Sequence, residues 1–515
     1  MSPGLDQWIL TLVTFIPLAG GLLLLGFPRR DRDIRAFSLV VTLLDFLLSL
    51  HLAVHLRPQS YAKDVFEFAN QRIFQYELNL PWIRVPNIHY HVGVDAISTW
   101  LVILTTFLTP LCVLISWKSI AQRTKEFFIL LLVLETALLG VFVSLDLFLF
   151  YFFWEATLIP MALLIGMYGH GRRVYAAIKF FLYTMIASMF MLAAILWLYA
   201  KTGTFDFVQV ESAIHNGQVE NFTLAAPWLF LGFFVAFAVK VPLFPVHTWL
   251  PDAHVEAPTA GSVLLAGVLL KMGTYGLLRF NLGLFPEESR RNASWIMILA
   301  LIGIIYGALV AMVQPNLKRL IAYSSISHMG IVVLGIFSFT TFGLDGATFQ
   351  MLAHGVSTGA LFMLAGVLFD RRHTYEISEF GGLATPMPIY AAFFLFIVLS
   401  SLGLPLLNGF VGEFLVLSGA FRDRAVYGVL GATGVIWSAC YSLWMYQRVF
   451  FGKVVHKIND SLPDLNPWER AALWPPTILA LLMGVAPILW LRTIDAAVQA
   501  ALVPLAQIVS KAIIP

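Results

Sequence analysis

The sequence predicts an all-α polytopic membrane protein: about fourteen transmembrane helices, with two inverted five-helix repeats that each contain a broken helix. Three observations carry that expectation. Of 515 residues, 59% are hydrophobic and only 12% are charged, and the mean hydropathy is +0.83. The apolar runs reach the ~20 residues needed to cross a hydrocarbon core of ~30 Å. Two of them are cut by prolines, FFVAFAVKVPLFPVHTWLPDAH at 233–254 and GLPLLNG at 403–409.

Windows of about 20 apolar residues between charged or Pro/Gly-rich breaks start near 7, 36, 96, 126, 147, 177, 226, 259, 294, 319, 346, 389, 426 and 471. Alternate short loops carry RRDRDIR (29–35), KSIAQRTK (118–125), GRR (171–173), LKR (317–319), DRR (370–372) and GKVVHK (452–457). The positive-inside rule makes these cytoplasmic and puts both termini outside, with Arg290, Arg291, Arg422 and Arg424 as exceptions. On the outer side, residues 57–94 read as a surface hairpin and 201–224 as a short amphipathic piece. The last 21 residues, from Asp495 on, are expected to lie along the surface. The chain divides into 1–125 (three helices with the hairpin), 126–282 (first repeat), 283–451 (second repeat) and 452–515 (last span and surface segment).

Other classes receive no support. A net charge of +3 over this length gives no reason to expect a nucleic-acid partner. Cys112 and Cys440 lie far apart in apolar segments without a C-x-x-C pair or a Cys/His cluster, so they are expected to be inert core thiols, and a metal site is not expected. No G-x-G-x-x-G or P-loop occurs. The start, MSPGLDQW, lacks a cationic n-region and is not read as a cleaved signal peptide.

An ionisable residue inside a span costs from ~3 kcal/mol upward unless it is paired or faces water, so each one is a functional candidate. Glu155, Lys240, Lys271 and Glu413 stand out. Asp45, Glu135 and Asp146 are open to two readings, functional or merely bonded locally. Gln350, His354, Ser357 and Thr358 fall on one helical face, as do Ser324, Ser327 and His328 on the preceding helix. Such stripes serve either as interhelical hydrogen-bond glue or as a proton relay; aligned histidines beside four buried charges favour the relay. The prolines fit the same picture. A helix broken at mid-membrane frees backbone groups that only protein or a wet cavity can satisfy. The breaks fall in spans seven and twelve, so spans four to eight and nine to thirteen form the repeats, and an odd span number makes the copies inverted.

The segments FFWEATLIPM, AFAVKVPLFPVHTWLPDAHVEAPTAGSVLLAGVLLKMGTYG, NLKRLIAYSSISHMG and LGLPLLNGFVGEF together resemble the antiporter-like subunits of respiratory complex I, of the chain 4 (subunit M) type of bacterial NADH:quinone oxidoreductase. The resemblance covers essentially all the spans. It implies a proton-translocating module in the membrane arm, without a redox centre, in a bacterial inner membrane. FMN, iron–sulfur clusters and quinone would belong to partner subunits, and chain 2-type and chain 5-type subunits would be neighbours, with lipid around them. It further implies that Glu155 pairs with Lys240, that Lys271 is the central relay lysine, that His328 and His354 connect, and that Glu413 is the terminal acid towards the outer exit. Related chain 2, chain 5 and multisubunit cation/proton antiporter members usually carry lysine at the last position, so Glu413 favours chain 4. A subunit of such an antiporter, or of a membrane-bound hydrogenase, is the alternative.

Overall fold

A chain in hydrocarbon must satisfy its backbone polar groups internally, and helices do so within one segment. The computed structural model describes residues 3–56 and 74–513, so the first part of the expected 57–94 surface segment lies outside the described residues. Helices α1 (Pro3–Gly26) and α2 (Asp31–Val54) are followed by an antiparallel hairpin, β1 (Gln75–Ile83) and β2 (Ile88–Val94). Then come α3 (Ala96–Ile115), α4 (Thr124–Val143), α5 (Leu147–Ala156) and α6 (Leu158–Tyr168). The latter two form one span kinked at Thr157, where the Thr157 hydroxyl takes the Trp154 carbonyl. The long α7 (Arg173–Thr202) leads to the amphipathic α8 (Phe207–His215).

The first expected break is present. Helix α9 (Phe222–Lys240) stops at the lysine, an irregular segment follows, and α10 (Trp249–Glu256) resumes. The next span runs as α11 (Thr259–Leu264), α12 (Leu270–Gly276) and α13 (Leu282–Leu284), joined by π-helical stretches at Leu265–Leu269 and Leu277–Asn281. After α14 (Pro286–Met312), α15 (Leu317–Ile336) and α16 (Thr341–Arg372), the second break separates α17 (Pro388–Ser401) from α18 (Asn408–Asp423). Helices α19 (Ala425–Phe450), α20 (Pro467–Val485) and α21 (Ile488–Ile513) complete the chain.

Thirteen helices among the described residues are long and apolar enough to cross a membrane. One of them, α21, does not run alongside the others. Its start meets the start of α3, where Trp100 Nε1 donates to Thr493 Oγ1 at 2.9 Å. Asp495 faces Asp345 near the start of α16, and Pro504 borders a cavity with Leu284, Pro286 and Glu287. All these points lie on the hairpin face, so α21 lies across helix ends. The broken pair α17–α18 and the proline-containing α20 are the remaining spans. The N-terminal helix begins on the hairpin face too, where Asp6 Oδ1 meets His51 Nε2 at 3.0 Å.

The basic loops gather on the opposite face. There Lys125 Nζ donates to the carbonyls of Leu25 and Phe27 at 2.6 and 2.9 Å, and Arg371 pairs with Glu469 at 2.7 Å. Lys318, within the basic LKR stretch, departs from expectation. It is buried and donates to the Ala257 carbonyl at 2.5 Å. Cys440 also departs: it is exposed on α19 rather than lodged in the core, whereas Cys112 is buried.

Two short bridges recur with a constant offset. Asp146 pairs with Asp206, and Asn316 pairs with Glu376, each residue 170 positions after its counterpart. Leu147 N donates to Phe205 O and Phe207 N to Leu145 O, both at 2.8 Å; Leu317 N donates to Tyr375 O and Ile377 N to Pro315 O at the same distance. The first bridge sits on the hairpin face, the second among the basic loops. Asp146 is locally bonded, its carboxylate accepting the amides of Phe148, Leu149 and His89.

The hairpin is clipped down by His91, whose Nδ1 lies 2.8 Å from Asp206 and Nε2 2.9 Å from Glu77. Burial opposes a charge on this ring, but the two carboxylates raise its pKa to about 9. A raised folded pKa contributes stability that is complete below the unfolded value and is lost as pH rises through the folded one. Hydrogen-exchange protection of the hairpin amides should therefore fall between about pH 6.5 and about 9, beyond the ordinary rise in intrinsic exchange, and His91→Leu should abolish that extra fall.

Candidate functional site

The buried charges line the interior where the broken and π-helical segments meet. At the first break, Pro242 and Pro245 follow cis peptide bonds and offer no amide protons. The freed carbonyls find other donors. Leu243 N donates to Ala238 O at 2.7 Å, and the indole Nε1 of Trp249 donates to Val239 O at 2.8 Å. Lys240, 1% exposed, therefore ends a helix whose last turn is satisfied from beyond the break.

Lys240 has no carboxylate within ion-pair reach among the described residues. Its Nζ donates to Thr157 Oγ1 at 3.5 Å and lies 5.2 and 5.6 Å from the ring centroids of Trp154 and Phe180, as a desolvated cation lies over aromatic faces. Glu155, two residues before Thr157 and half-buried, accepts from the Ser188 hydroxyl. The two residues thus share one neighbourhood, but here each is held by a hydroxyl group rather than by the other.

Lys271 follows the first π-helical stretch and is 0% exposed. Its ammonium donates to the Ala266 carbonyl and, at 2.7 Å, to His354 Nδ1 on α16. Two glycines allow this approach. A Cβ on Gly355 would lie 3.0 Å from the Gly267 carbonyl and 2.6 Å from Leu104 Cδ2, and one on Gly267 would lie 2.4 Å from Leu108 Cδ1. Gly273, one half-turn beyond Lys271, sits where a Cβ would be 2.8 Å from the Phe237 carbonyl and 2.9 Å from Val241. The two lysine-bearing helices therefore touch backbone to backbone.

From His354 the polar line continues. Its ring centroid is 5.6 Å from that of His328 on α15, and its buried Nε2 has no hydrogen-bond partner among the described residues. His328 Nδ1 lies 3.2 Å from Glu413 Oε1, and its Nε2 lies 3.1 Å from the Tyr441 hydroxyl. This network assigns the proton to Nδ1 in the neutral ring, with Tyr441 donating to Nε2. Gln350 Nε2 donates to Glu413 Oε1 at 3.3 Å. Close contact of α18 with α16 makes this possible, since a Cβ on Gly412 would overlap Gln350 at 2.4 Å.

Glu413 stands just beyond the second break, which Asn408 stitches. Its Oδ1 accepts from Ser400 at 2.5 Å and from Ser357 at 3.1 Å, and its Nδ2 donates to Ala353 O at 3.2 Å. Gly403 turns the chain with φ +81°, and its missing side chain leaves room for Glu413 Oε2, 2.9 Å from where a Cβ would be.

All six candidate residues are thus placed inside the bundle. Lys271, His354, His328 and Glu413 form one succession, while Glu155 and Lys240 form a separate group beside Gly273. Sequence reading passed over Tyr441, Thr157, Ser188 and Asn408. It also left unassigned His247 and His254, whose rings are buried; the His247 ring is set against the Pro245 backbone, and His254 is stacked on Phe362 at 4.3 Å. One signal was available: both histidines sit in the short stretch after the first break.

Residues 144–437 match the family model described as NADH:quinone oxidoreductase/Mrp antiporter, TM, and residues 66–141 match the amino terminus of NADH-ubiquinone oxidoreductase chain 4. The chain is 45% identical to NADH-quinone oxidoreductase subunit M of Rhodobacter capsulatus, over 93% of this chain and 94% of that protein. It is 42% identical to NADH-ubiquinone oxidoreductase chain 4 of Marchantia polymorpha, over 94% and 95%. A chain of respiratory complex I from Thermus thermophilus with bound NADH superposes with a TM-score of 0.85 at 33% identity, over 96% and 99% of the two chains. A chain of the Mrp complex from Dietzia sp. shares the fold, with a TM-score of 0.81 at 19% identity over 98% and 100%.

Gly273→Val tests the backbone contact between the lysine helices. It forces side-chain atoms against the Phe237 carbonyl and Val241, an overpacking that costs about 1–3 kcal/mol. The variant should show a lower melting temperature in detergent, with Gly273→Ala falling between it and wild type.

Proposed function

Because the chain belongs to the NADH:quinone oxidoreductase/Mrp antiporter family of membrane subunits, and within it to the chain 4 (subunit M) type, we propose that it translocates protons as a membrane-arm subunit of an NADH:quinone oxidoreductase. Quinone is reduced elsewhere in the complex. The observation that carries the mechanism is the succession Lys271, His354, His328, Glu413 through the buried interior, in contact at both ends and with one gap of 5.6 Å between the two imidazole ring centroids.

In this reading the two broken helices mark two inverted repeats, 126–282 and 283–451, flanked by 1–125 and 452–515. The 170-residue offset between bridges on opposite faces supports it. The basic loops face the cytoplasm of a bacterial inner membrane, so both termini are outside. FMN, iron–sulfur clusters and quinone reside in partner subunits, and chain 2-type and chain 5-type subunits flank this one.

Glu155 and Lys240 act as the switch. Unit charges brought to 4 Å interact by about 4 kcal/mol at an effective dielectric of 20. Moving one charge through 100 mV takes about 2.3 kcal/mol. Making and breaking one such contact is therefore sufficient to drive a proton against a physiological potential. With Lys240 held by Thr157, the pair stands in its open arrangement. When Glu155 engages Lys240, the cation is stabilised there, and a proton on the neighbouring Lys271 is displaced towards His354 Nδ1. His354 passes a proton from Nε2, through one bridging water molecule, to His328 Nε2, which exchanges its hydrogen bond from Tyr441 for that proton. His328 delivers it to Glu413 Oε1 from Nδ1.

The test is coupled turnover of the assembled complex in proteoliposomes. Glu155→Gln and Lys240→Ala should each slow quinone reduction with its proton uptake by about tenfold, equivalent to about 1.4 kcal/mol. The double variant should lose less than the product of the two, because the residues act as one unit. Wild-type pumping in either assembled single variant refutes the switch. Tyr441→Phe should assemble and slow turnover by roughly two- to tenfold, the worth of one hydrogen bond, since His328 keeps its contact with Glu413; a rate equal to wild type removes Tyr441 from the relay.

A further inference from the structure

Two carboxylic acids lie away from the relay, among the first four helices. Asp45 on α2 and Glu135 on α4 are both 0% exposed, and among the described residues none of their four carboxyl oxygens has a hydrogen bond of good geometry, Thr109 coming nearest to Glu135. Neither forms an ion pair among the described residues, yet each lies within electrostatic reach of the other. Beyond α2 and α4 themselves, the titratable groups on the helices packed against the pair are Asp6 on α1, Cys112 on α3, Tyr151 and Glu155 on α5, Tyr168 on α6, and Lys271 and Tyr275 on α12, of which Cys112 lies within reach of Glu135.

The surroundings are polar, but most of their hydroxyls are committed elsewhere. Ser38, Thr42, Asp45 and Ser49 fall at i, i+4, i+7 and i+11, one buried face of α2, opposite the α3 hydroxyls of Thr105, Thr106 and Thr109. Ser38 donates to the Ile34 carbonyl, Thr42 to Ser38, Thr105 to Leu101 and Thr109 to Thr105 within their own helices, at 2.8–3.0 Å, while Ser49 and Thr106 bond each other across the two helices at 2.7 Å. Thr109 alone of these hydroxyls comes within reach of Glu135, and none of them is set against Asp45. A carboxylate taken out of water without a cation must acquire a proton, and two within electrostatic reach of each other disfavour a charge on both.

We propose that Asp45 and Glu135 form a proton-binding site separate from the relay, the two carboxyl groups holding at least one proton between them at neutral pH. Infrared difference spectroscopy on the assembled complex reads this directly. The spectrum of wild type minus Asp45→Asn/Glu135→Gln in neutral buffer should show the loss of a carboxylic C=O band that shifts on deuteration. The same loss is expected in at least one single amide variant, which serves if the double variant does not assemble. No lost intensity in any of these variants means the carboxyls are ionised, and overturns the proposal. A sodium-dependent rise in the melting temperature of wild type that the amide variants lack would make sodium the bound cation, and would also overturn it. Proton uptake in the single amide variants should stay within about twofold of wild type. A relay-sized loss would show that the site is not separate.

Discussion

A fully buried ammonium group without a carboxylate partner is the constraint around which the site is built. Isolated in hydrocarbon, such a charge is costly enough to be expelled, so Lys271 must be met by dipoles already fixed in place. The Ala266 carbonyl and the His354 ring supply them. Both depend on geometry that ordinary helices do not offer. The π-helical stretch before Lys271 reshapes the backbone, and Gly267 and Gly355 let α16 come close enough for an imidazole to touch the lysine. Without that approach the relay would begin with an unsatisfied cation.

The two helix breaks solve one problem in two ways. Prolines at 242 and 245 remove donors, and a tryptophan from beyond the break returns one to Val239. At the second break Asn408 gathers two serines and a carbonyl, replacing backbone bonds with a side-chain network. In each case an ionisable residue stands at the interruption, Lys240 at one and Glu413 at the other. The interruptions leave these polar groups satisfied locally. Short α10 is further pinned by Asp252, which takes Lys179 from α7 at 2.7 Å and Arg319 from α15 at 3.1 Å, one partner from each half of the chain.

The spans, both breaks and the candidate ionisable residues were legible because each leaves a mark in one dimension: length of apolar run, proline, or charge out of place. What was not legible depends on contacts between distant segments. Lys318 sits in a basic triplet that reads as a loop, yet the Ala257 carbonyl draws it inward. Glu413 has no cation near it in sequence, and its partner His328 comes from 85 positions earlier. Tyr441 is one aromatic among many until its hydroxyl is seen against His328. Cys440 lies in an apolar segment, but hydrophobicity in a membrane protein does not distinguish core from lipid-facing surface, so its exposure had no sequence signature. The π-helical stretches were hidden for another reason: glycines at 267, 273 and 276 report close packing without saying which helix approaches.

The last helix bears on how the molecule can move. From Trp490 to Pro504, α21 lies over the starts of α3, α16 and the α13–α14 turn, elements drawn from the N-terminal helices and from both halves of the core. A stiff rod fastened at several points resists shear between the parts beneath it. Large tilting of one half against the other, the usual way a transporter alternates its openings, would have to bend or detach this brace. Transport in such a frame is left to small displacements: side chains that change partners, and a helix end that yields at a proline. The machine resembles a gear train in a fixed housing more than a rocking cradle.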